Sequence, residues 1–245
     1  MRVGLLALVL LAGCASRQDE SIFVFAAASL TDAVQALADE FQAAHPGYNV
    51  TISIGATSLL ARQISYGAPA DVFMAASPEW IQFLEKKGLL LQNVPAILRN
   101  RLVVIGHEEA APMEGLLSLI DAGRIALADP SHVPAGVYAR TALTCAGLWE
   151  DLAPQVIPVL DVRAAVVAVM SGAAEFAIVY ASDARIAPQL KVLLHWPETC
   201  APQIKYAAAV LSKTPNQIGA AAFLNFAADS ARGSLWEQYG FEPNP

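Results

Sequence analysis

The sequence has few charged residues and no cluster of cations. Only 15% of its 245 residues are charged, and 22 acidic residues outnumber 15 basic ones, which gives a formal net charge of −7. A nucleic-acid surface needs clustered Lys and Arg to meet the phosphates, so this composition disfavours a nucleic-acid partner and none is expected. The 56% hydrophobic content predicts a well-buried globular protein.

The apolar run at the N-terminus is too short to span a membrane. It extends from Val3 to Ala12, follows Arg2 and precedes small residues, which is the pattern of an export signal. The end of the run, "LAGC", resembles a bacterial lipobox. We therefore expect a lipoprotein signal peptide over 1–13, a tether over 14–20, and a periplasmic or extracytoplasmic protein held at a membrane by a lipid on Cys14. An ordinary signal peptide with a stray cysteine is the alternative.

Beyond Cys14 the sequence contains two cysteines and four histidines, none of them in a recognisable catalytic or metal-binding motif. In an exported protein Cys145 and Cys200 can form one disulfide or stay as separate buried thiols, and the sequence leaves both possibilities open. No direct protein ligand to a metal is expected, because metal-ligand spacing is lacking among His45, His107, His132 and His195. His132 is expected to brace its loop.

Short apolar runs alternate with amphipathic runs from Ile22 onward, which predicts an α/β protein with mostly parallel sheets flanked by helices. If the C-terminal helices pack on the first unit, the chain forms two lobes with a cleft between them. The predicted boundaries are 21–102 and 208–245 for lobe I and 103–207 for lobe II, with hinge strands near 101–107 and 204–212.

Four predicted strand-to-helix turns carry small or hydroxyl-bearing residues, and a fifth strand ends in a tyrosine. Ligands of parallel α/β sheets bind beyond the carboxyl ends of the strands, where these turns lie. The residues concerned are Ser29 in "AAASLTD", Thr57 and Ser58 in "GATSLLAR", Ala135 in "DPSHVPAG", Val162 in "LDVRAA" and Tyr180 in "AIVYAS". Asp161 is expected to cap the helix that begins at Val162. Taken alone, Ser29 and Asp32 also fit a simple S-x-x-D capping box.

Taken together, the turns predict a cradle for an anion. Backbone N–H groups at helix starts carry partial positive charge, and hydroxyl groups add hydrogen-bond donors without a counter-ion. An acidic protein can still bind an anion in this way, because its net charge is screened in salt and the donors act at short range. A hydrolase with Ser29 or Ser58 as nucleophile is the alternative from another class, although neither serine lies in a G-x-S-x-G elbow.

Five segments carry a family resemblance. In the same order along the chain, the sequence resembles the periplasmic molybdate-binding proteins of ABC transporters in "VFAAASLTDA", "LLARQISYGAPADVFMAAS", "LADPSHVPAGVYAR", "LDVRAAV" and "FAIVYASDA". The resemblance implies a two-lobed solute-binding fold that closes on molybdate or tungstate and delivers the oxyanion to a membrane permease. It implies neither catalysis nor a cofactor, and a monomer is expected.

The family's ligand contacts fall on Ser29, Ala135, Val162 and Tyr180. In the second turn the family usually has a serine, whereas this sequence has Thr57 at the matching position and Ser58 next to it, so either hydroxyl can make the contact. Another tetrahedral oxyanion such as sulfate remains the alternative ligand, because helix N-termini bind all of them. Protonated phosphate would need an acceptor for its OH, and the predicted contacts are all donors.

Overall fold

The computed structural model describes residues 20–110, 113–120 and 122–244. The predicted signal peptide, Cys14 and the tether up to residue 19 lie outside these described residues. Within the described ranges, no helix is long and apolar enough to cross a membrane.

Strands and helices alternate along most of the chain. The strands are β1 (Glu20–Ala27), β2 (Tyr48–Gly55), β3 (Val72–Ala75), β4 (Leu90–Asn100), β5 (Leu102–His107), β6 (Ile125–Ala128), β7 (Val156–Val159), β8 (Phe176–Tyr180), β9 (Leu190–His195), β10 (Ile204–Leu211) and β11 (Glu242–Pro243). The helices are α1 (Thr31–Ala44), α2 (Thr57–Ser65), α3 (Pro78–Glu85), α4 (Pro134–Cys145), α5 (Trp149–Leu152), α6 (Val162–Met170), α7 (Ala181–Arg185), α8 (Gln217–Ala228) and α9 (Gly233–Gln238).

The strands form two sheets, one in each lobe. The first lobe has the strand order β11-β4-β10-β3-β1-β2, and the second has the order β7-β6-β8-β5-β9. This arrangement confirms the predicted two-lobed α/β fold. The helix that follows β1 packs with the predicted periodicity, since α1 buries Ala33, Val34, Leu37, Ala38 and Phe41.

Each sheet mixes parallel and antiparallel pairs, which corrects the expectation of mostly parallel sheets. β1 is parallel to β2 and β3, and β6 is parallel to β7 and β8. The antiparallel pairs are β3–β10, β4–β10 and β4–β11 in the first sheet, and β5–β8 and β5–β9 in the second. Two consecutive strands can lie parallel in one sheet only if a crossover connection joins them. β5 instead enters its sheet directly from the other lobe, with Arg101 as the one residue between β4 and β5.

The chain passes between the sheets at Arg101 and again between β9 and β10. Leu102 pairs with Tyr180 in the second sheet, although the predicted boundaries assigned it to the first lobe. Ile204 pairs with Asn100 in the first sheet, although it was assigned to the second lobe. The exact domain boundaries otherwise stay a prediction.

Two features hold the second lobe together around α4. Gly136 packs so closely on β6 that an added Cβ would lie 1.8 Å from the carbonyl oxygen of Ala128. At the other end of the helix, Cys145 forms a disulfide with Cys200, with their Cα atoms 5.5 Å apart. The structure therefore decides between the two possibilities that the sequence left open for these cysteines.

Candidate functional site

A small cavity lies between the lobes, where the strand-to-helix turns of both sheets meet. Its volume of about 10 Å³ is far below the 300–1,000 Å³ typical of pockets for drug-sized ligands, so the site excludes ligands of that size. Six lining residues come from each lobe: Ala27, Ala28, Ser29, Ala56, Thr57 and Ala76 from the first, and Val133, Pro134, Ala135, Asp161, Val162 and Tyr180 from the second.

The structure brings five of the six predicted contact residues to this cavity, namely Ser29, Thr57, Ala135, Val162 and Tyr180. Ser58 is the exception. Its side chain is fully buried, and its Oγ lies 2.9 Å from Nδ1 of His132 in the other lobe. Of the two adjacent hydroxyls in the second turn, Thr57 therefore faces the cavity, while Ser58 joins the lobes beside it.

Ser58, His132 and Asp129 are the residue types of a hydrolase triad, a combination that sequence spacing did not reveal. Nε2 of His132 lies 3.7 Å from Oδ2 of Asp129, beyond hydrogen-bond distance. Ser58 is buried and does not line the cavity. The arrangement thus connects the two lobes and does not present a nucleophile to the cavity.

Two helices of the second lobe begin at the cavity wall. The first N–H groups of a helix have no acceptor within that helix. Pro134 has no N–H group, so Ala135 supplies the first amide of α4. At the start of α6, Asp161 caps the helix as predicted, because its Oδ1 accepts from the amide of Ala164 at 3.0 Å. The amide of Val162 precedes this capping bond and stays available at the cavity.

In the first lobe, the hydroxyls of two cavity residues have hydrogen-bond partners within the same lobe. The amide of Ala76 donates to Oγ1 of Thr57 at 3.2 Å, so the hydrogen of that hydroxyl is left for another acceptor. Oγ of Ser29 lies 2.8 Å from the hydroxyl of Tyr206 on β10. Tyr206 was not predicted, because it lies within an apolar strand with no local motif around it.

The capping-box interpretation of the first turn is wrong. α1 begins at Thr31 after a 3₁₀ turn over Ala28–Leu30, and no side chain caps it. Ser29 bonds Tyr206 instead, and Oδ2 of Asp32 accepts from the guanidinium of Arg163 in the other lobe at 2.7 Å. Tertiary contacts have replaced the local bonds that the S-x-x-D pattern predicts.

Tyr180 supplies a hydroxyl from the second lobe. Its side chain is 1% exposed and lines the cavity, yet its hydroxyl has no hydrogen-bond partner among the described residues. Burial raises the pKa of Tyr180 well above its ordinary value, so the hydroxyl keeps its proton. A buried hydroxyl without a partner is costly, and its position points to a bound ligand as the acceptor.

A network of charged residues joins the two lobes. Arg163 pairs with Asp32 of the first lobe, and its Nε lies 2.8 Å from Oδ1 of the buried Asp183. Burial raises the pKa of Asp183 to about 7, although Arg163 opposes this rise. Asp161 is the one ionisable acid or base among the lining residues apart from the tyrosine. The lining residues therefore offer amides and hydroxyls and include no cationic side chain.

Comparison with known proteins agrees with this geometry. Residues 22–242 match the family model of bacterial extracellular solute-binding proteins. The chain belongs to this family. Over 238 residues, this solute-binding protein is 36% identical to the molybdate-binding protein ModA of Escherichia coli K12, a match that covers 94% of this chain and 92% of that protein. The resemblance to the molybdate-binding family is confirmed.

Solved structures share the fold of this solute-binding protein. The periplasmic molybdate-binding protein of Azotobacter vinelandii matches with a TM-score of 0.82 at 22% identity, covering 91% of this chain and 100% of that one. The sulfate-binding protein SubI of Mycobacterium tuberculosis matches with a TM-score of 0.81 at 19% identity, covering 91% and 87%. At these identities the two matches establish the fold alone.

Proposed function

We propose that this protein binds molybdate, and also tungstate, in the cavity between its lobes and delivers the oxyanion to the permease of an ABC transporter. Its relatives named as molybdate-binding proteins support the ligand. The observation that carries the proposal is the buried hydroxyl of Tyr180, which lines the cavity without a partner among the described residues. The proposed role is binding without catalysis, and it needs no cofactor.

In the proposed complex, the oxyanion accepts hydrogen bonds from both lobes. Ser29 and Thr57 donate from the first lobe, while Tyr180 and the amides of Ala135 and Val162 donate from the second. Hydrogen bonds to a charged group contribute roughly 1.5–3 kcal/mol each, so several of them can offset the cost of dehydrating a small anion. Donors from both lobes also make the closed arrangement of the lobes depend on the ligand.

We further propose that the protein acts outside the cytoplasm as a monomer, anchored to a membrane by a lipid on Cys14. The "LAGC" sequence at the end of the N-terminal apolar run supports the anchor. Mass spectrometry of the protein purified from membranes tests this part. An unmodified N-terminus downstream of Cys14 would indicate an ordinary signal peptide.

Calorimetric titration of the purified protein with molybdate, tungstate, sulfate and phosphate tests the ligand. We expect tight binding of molybdate and tungstate and much weaker binding of sulfate and phosphate. Sulfate is the informative competitor, because it is also a tetrahedral dianion and differs mainly in size. Tight sulfate binding without a molybdate response would overturn the assignment.

The substitution Tyr180→Phe tests the observation that carries the proposal. It removes the hydroxyl and keeps the ring, so we expect molybdate affinity to fall roughly 10-fold to 100-fold, the equivalent of one hydrogen bond to a charged group. The thermal midpoint of the ligand-free protein should stay unchanged or rise, because the hydroxyl makes no bond within the described chain.

Tyr48→Phe provides the matched control for this substitution. The ring of Tyr48 packs against Phe41 in the first lobe and does not line the cavity. We expect wild-type affinity for this variant. If Tyr180→Phe also kept wild-type affinity, the hydroxyl of Tyr180 would not contact the ligand.

A further inference from the structure

The hydroxyl of Tyr206 stands directly behind Ser29. Tyr206 is fully buried on β10, and its ring meets the rings of Tyr180 and Phe241 edge-on, with centroids 6.0 Å and 5.3 Å away. The two oxygens of Tyr206 and Ser29 are 2.8 Å apart, and either can donate to the other. The direction of this bond determines whether the hydrogen of Ser29 is used by Tyr206 or is left for the cavity.

Asn100 determines that direction. Its Oδ1 accepts from the amide of Arg101 at 2.9 Å, so its Nδ2 lies on the opposite side. Nδ2 donates to Oγ of Ser182 at 2.9 Å and to the hydroxyl oxygen of Tyr206 at 3.4 Å. An amide nitrogen cannot accept a hydrogen bond. The oxygen of Tyr206 therefore accepts from Asn100, and its own hydrogen needs a different acceptor.

Ser29 is the acceptor available to that hydrogen. Among the residues that the structure describes, the hydroxyl of Tyr206 has hydrogen-bond contacts with Asn100 and Ser29. If Ser29 donated to Tyr206, the tyrosine hydrogen would remain buried without an acceptor, which is costly. Burial also raises the pKa of Tyr206, so its hydroxyl does not ionise. The favoured order is thus Asn100 to Tyr206 to Ser29.

We propose that Tyr206 and Asn100 are positioning residues that hold Ser29 as a hydrogen-bond donor and so select a fully deprotonated tetrahedral anion over a protonated one. Because Tyr206 donates to the oxygen of Ser29, the hydrogen of Ser29 is left for the cavity. A protonated anion that donated to the second lone pair of Ser29 would leave that hydrogen without an acceptor, which is costly. Thr57 is arranged in a similar way, because the amide of Ala76 donates to its oxygen.

This inference rests on the proposed function, and it predicts a change in selectivity. Tyr206→Phe keeps the ring and removes the hydroxyl, so Ser29 can rotate and accept a hydrogen bond. We expect the preference for molybdate over phosphate at pH 7 to fall about tenfold, roughly the effect of one hydrogen bond. Calorimetry measures molybdate binding, and displacement of molybdate by phosphate gives the second affinity. An unchanged preference would overturn the inference.

A double-mutant cycle separates positioning through Ser29 from a general structural effect. If Tyr206 acts through Ser29, Tyr206→Phe changes neither affinity nor preference further in a Ser29→Ala protein. Equal effects of Tyr206→Phe with and without Ser29 would overturn the inference. Tyr48→Phe again serves as the control that should leave affinity and preference unchanged.

A second variant and a second pair of ligands allow the inference to be tested if the first experiment fails. If the Tyr206→Phe protein does not fold, Asn100→Ala removes the amide hydrogen that sets the direction, and the same cycle with Ser29→Ala applies. If the wild-type protein binds sulfate and not molybdate, the proposed function fails. The double-mutant cycle, measured with sulfate and phosphate, then still tests whether Tyr206 and Asn100 position Ser29. If it binds none of these anions, both proposals fail.

Discussion

The two lobes build their halves of the cavity differently. The first lobe presents the hydroxyls of Ser29 and Thr57, and each is oriented by a hydrogen bond within that lobe. The second lobe presents the starts of α4 and α6 together with the hydroxyl of Tyr180, which is without a partner in the described chain. Side-chain and amide hydrogen bonds thus orient the hydroxyls of the first half, whereas the second half depends on where two helices begin, with α4 held by close backbone packing at Gly136.

Because the two halves of the cavity are built differently, substitutions should affect them differently. A hydroxyl held by side chains can lose its orientation when one distant partner is removed, while the fold stays intact. A helix start held by close backbone packing can only move together with its helix. Substitutions behind the first half should therefore change selectivity, and substitutions behind the second half should change stability and affinity together.

Gly136→Ala should have the largest effect on stability and affinity, and it acts on the half of the cavity that the second lobe provides. The added Cβ would meet the backbone of Ala128 at 1.8 Å, so α4 must move away from β6 and take the amide of Ala135 with it. We expect a loss of about 3 kcal/mol or more in the free energy of unfolding, and at least about a tenfold loss of molybdate affinity. Chemical denaturation and calorimetry measure the two quantities.

Gly233→Ala is the control for the Gly136 substitution. At Gly233 the nearest atom to an added Cβ is Cγ of Pro243 at 3.6 Å, an ordinary contact. This variant should bind molybdate as the wild type does. Normal binding by the Gly136→Ala protein would show that the position of α4 is not needed for the site.

The pH dependence of stability should also arise from the second half, through Asp183. Burial raises the pKa of this carboxyl to about 7 in the folded protein, against 3.8 for an ordinary aspartate. Between these values the folded protein holds a proton that the unfolded chain releases, so stability falls as the pH rises from about 4 to about 7. Above pH 7 the contribution of Asp183 is constant.

Comparison with Asp183→Asn isolates this effect. The free energy of unfolding of the wild type, relative to the variant, should fall by on the order of 4 kcal/mol across this range. Chemical denaturation at several pH values measures it. A relative stability that rose with pH would show that Arg163, whose Nε is 2.8 Å from Asp183, keeps the carboxyl ionised.

The smallest effect is expected where the halves meet, at the ion pair between Asp32 and Arg163. Asp32→Asn removes a partly exposed pair that joins the lobes, so molybdate affinity should fall about threefold, and the loss should shrink in high salt. Glu40→Gln, on the same helix, breaks a pair with Arg232 inside the first lobe and should leave affinity unchanged. If both variants lost the same amount of molybdate affinity, Asp32 would have no specific role between the lobes.

Local patterns predicted the turns of the site well because each turn depends on adjacent residues. The capping of α6 by Asp161 and the apolar face of α1 are local features, and both are confirmed. β4 was missed, because polar residues and Pro95 interrupt its apolar pattern. β9 was also missed, since it is defined by its pairing with β5. Such pairing depends on residues distant in the chain.

The sequence by itself determined the family, the α/β fold and the residues that reach the cavity from each turn. Only the tertiary structure decided the hydrogen-bond partner of each side chain, and with it the choice of Thr57 over Ser58 at the cavity. The physical reason is distance along the chain. Ser29 and Tyr206 are 177 residues apart, Asp32 and Arg163 are 131 apart, and Ser58 and His132 are 74 apart. Only the folded chain brings these donors and acceptors together.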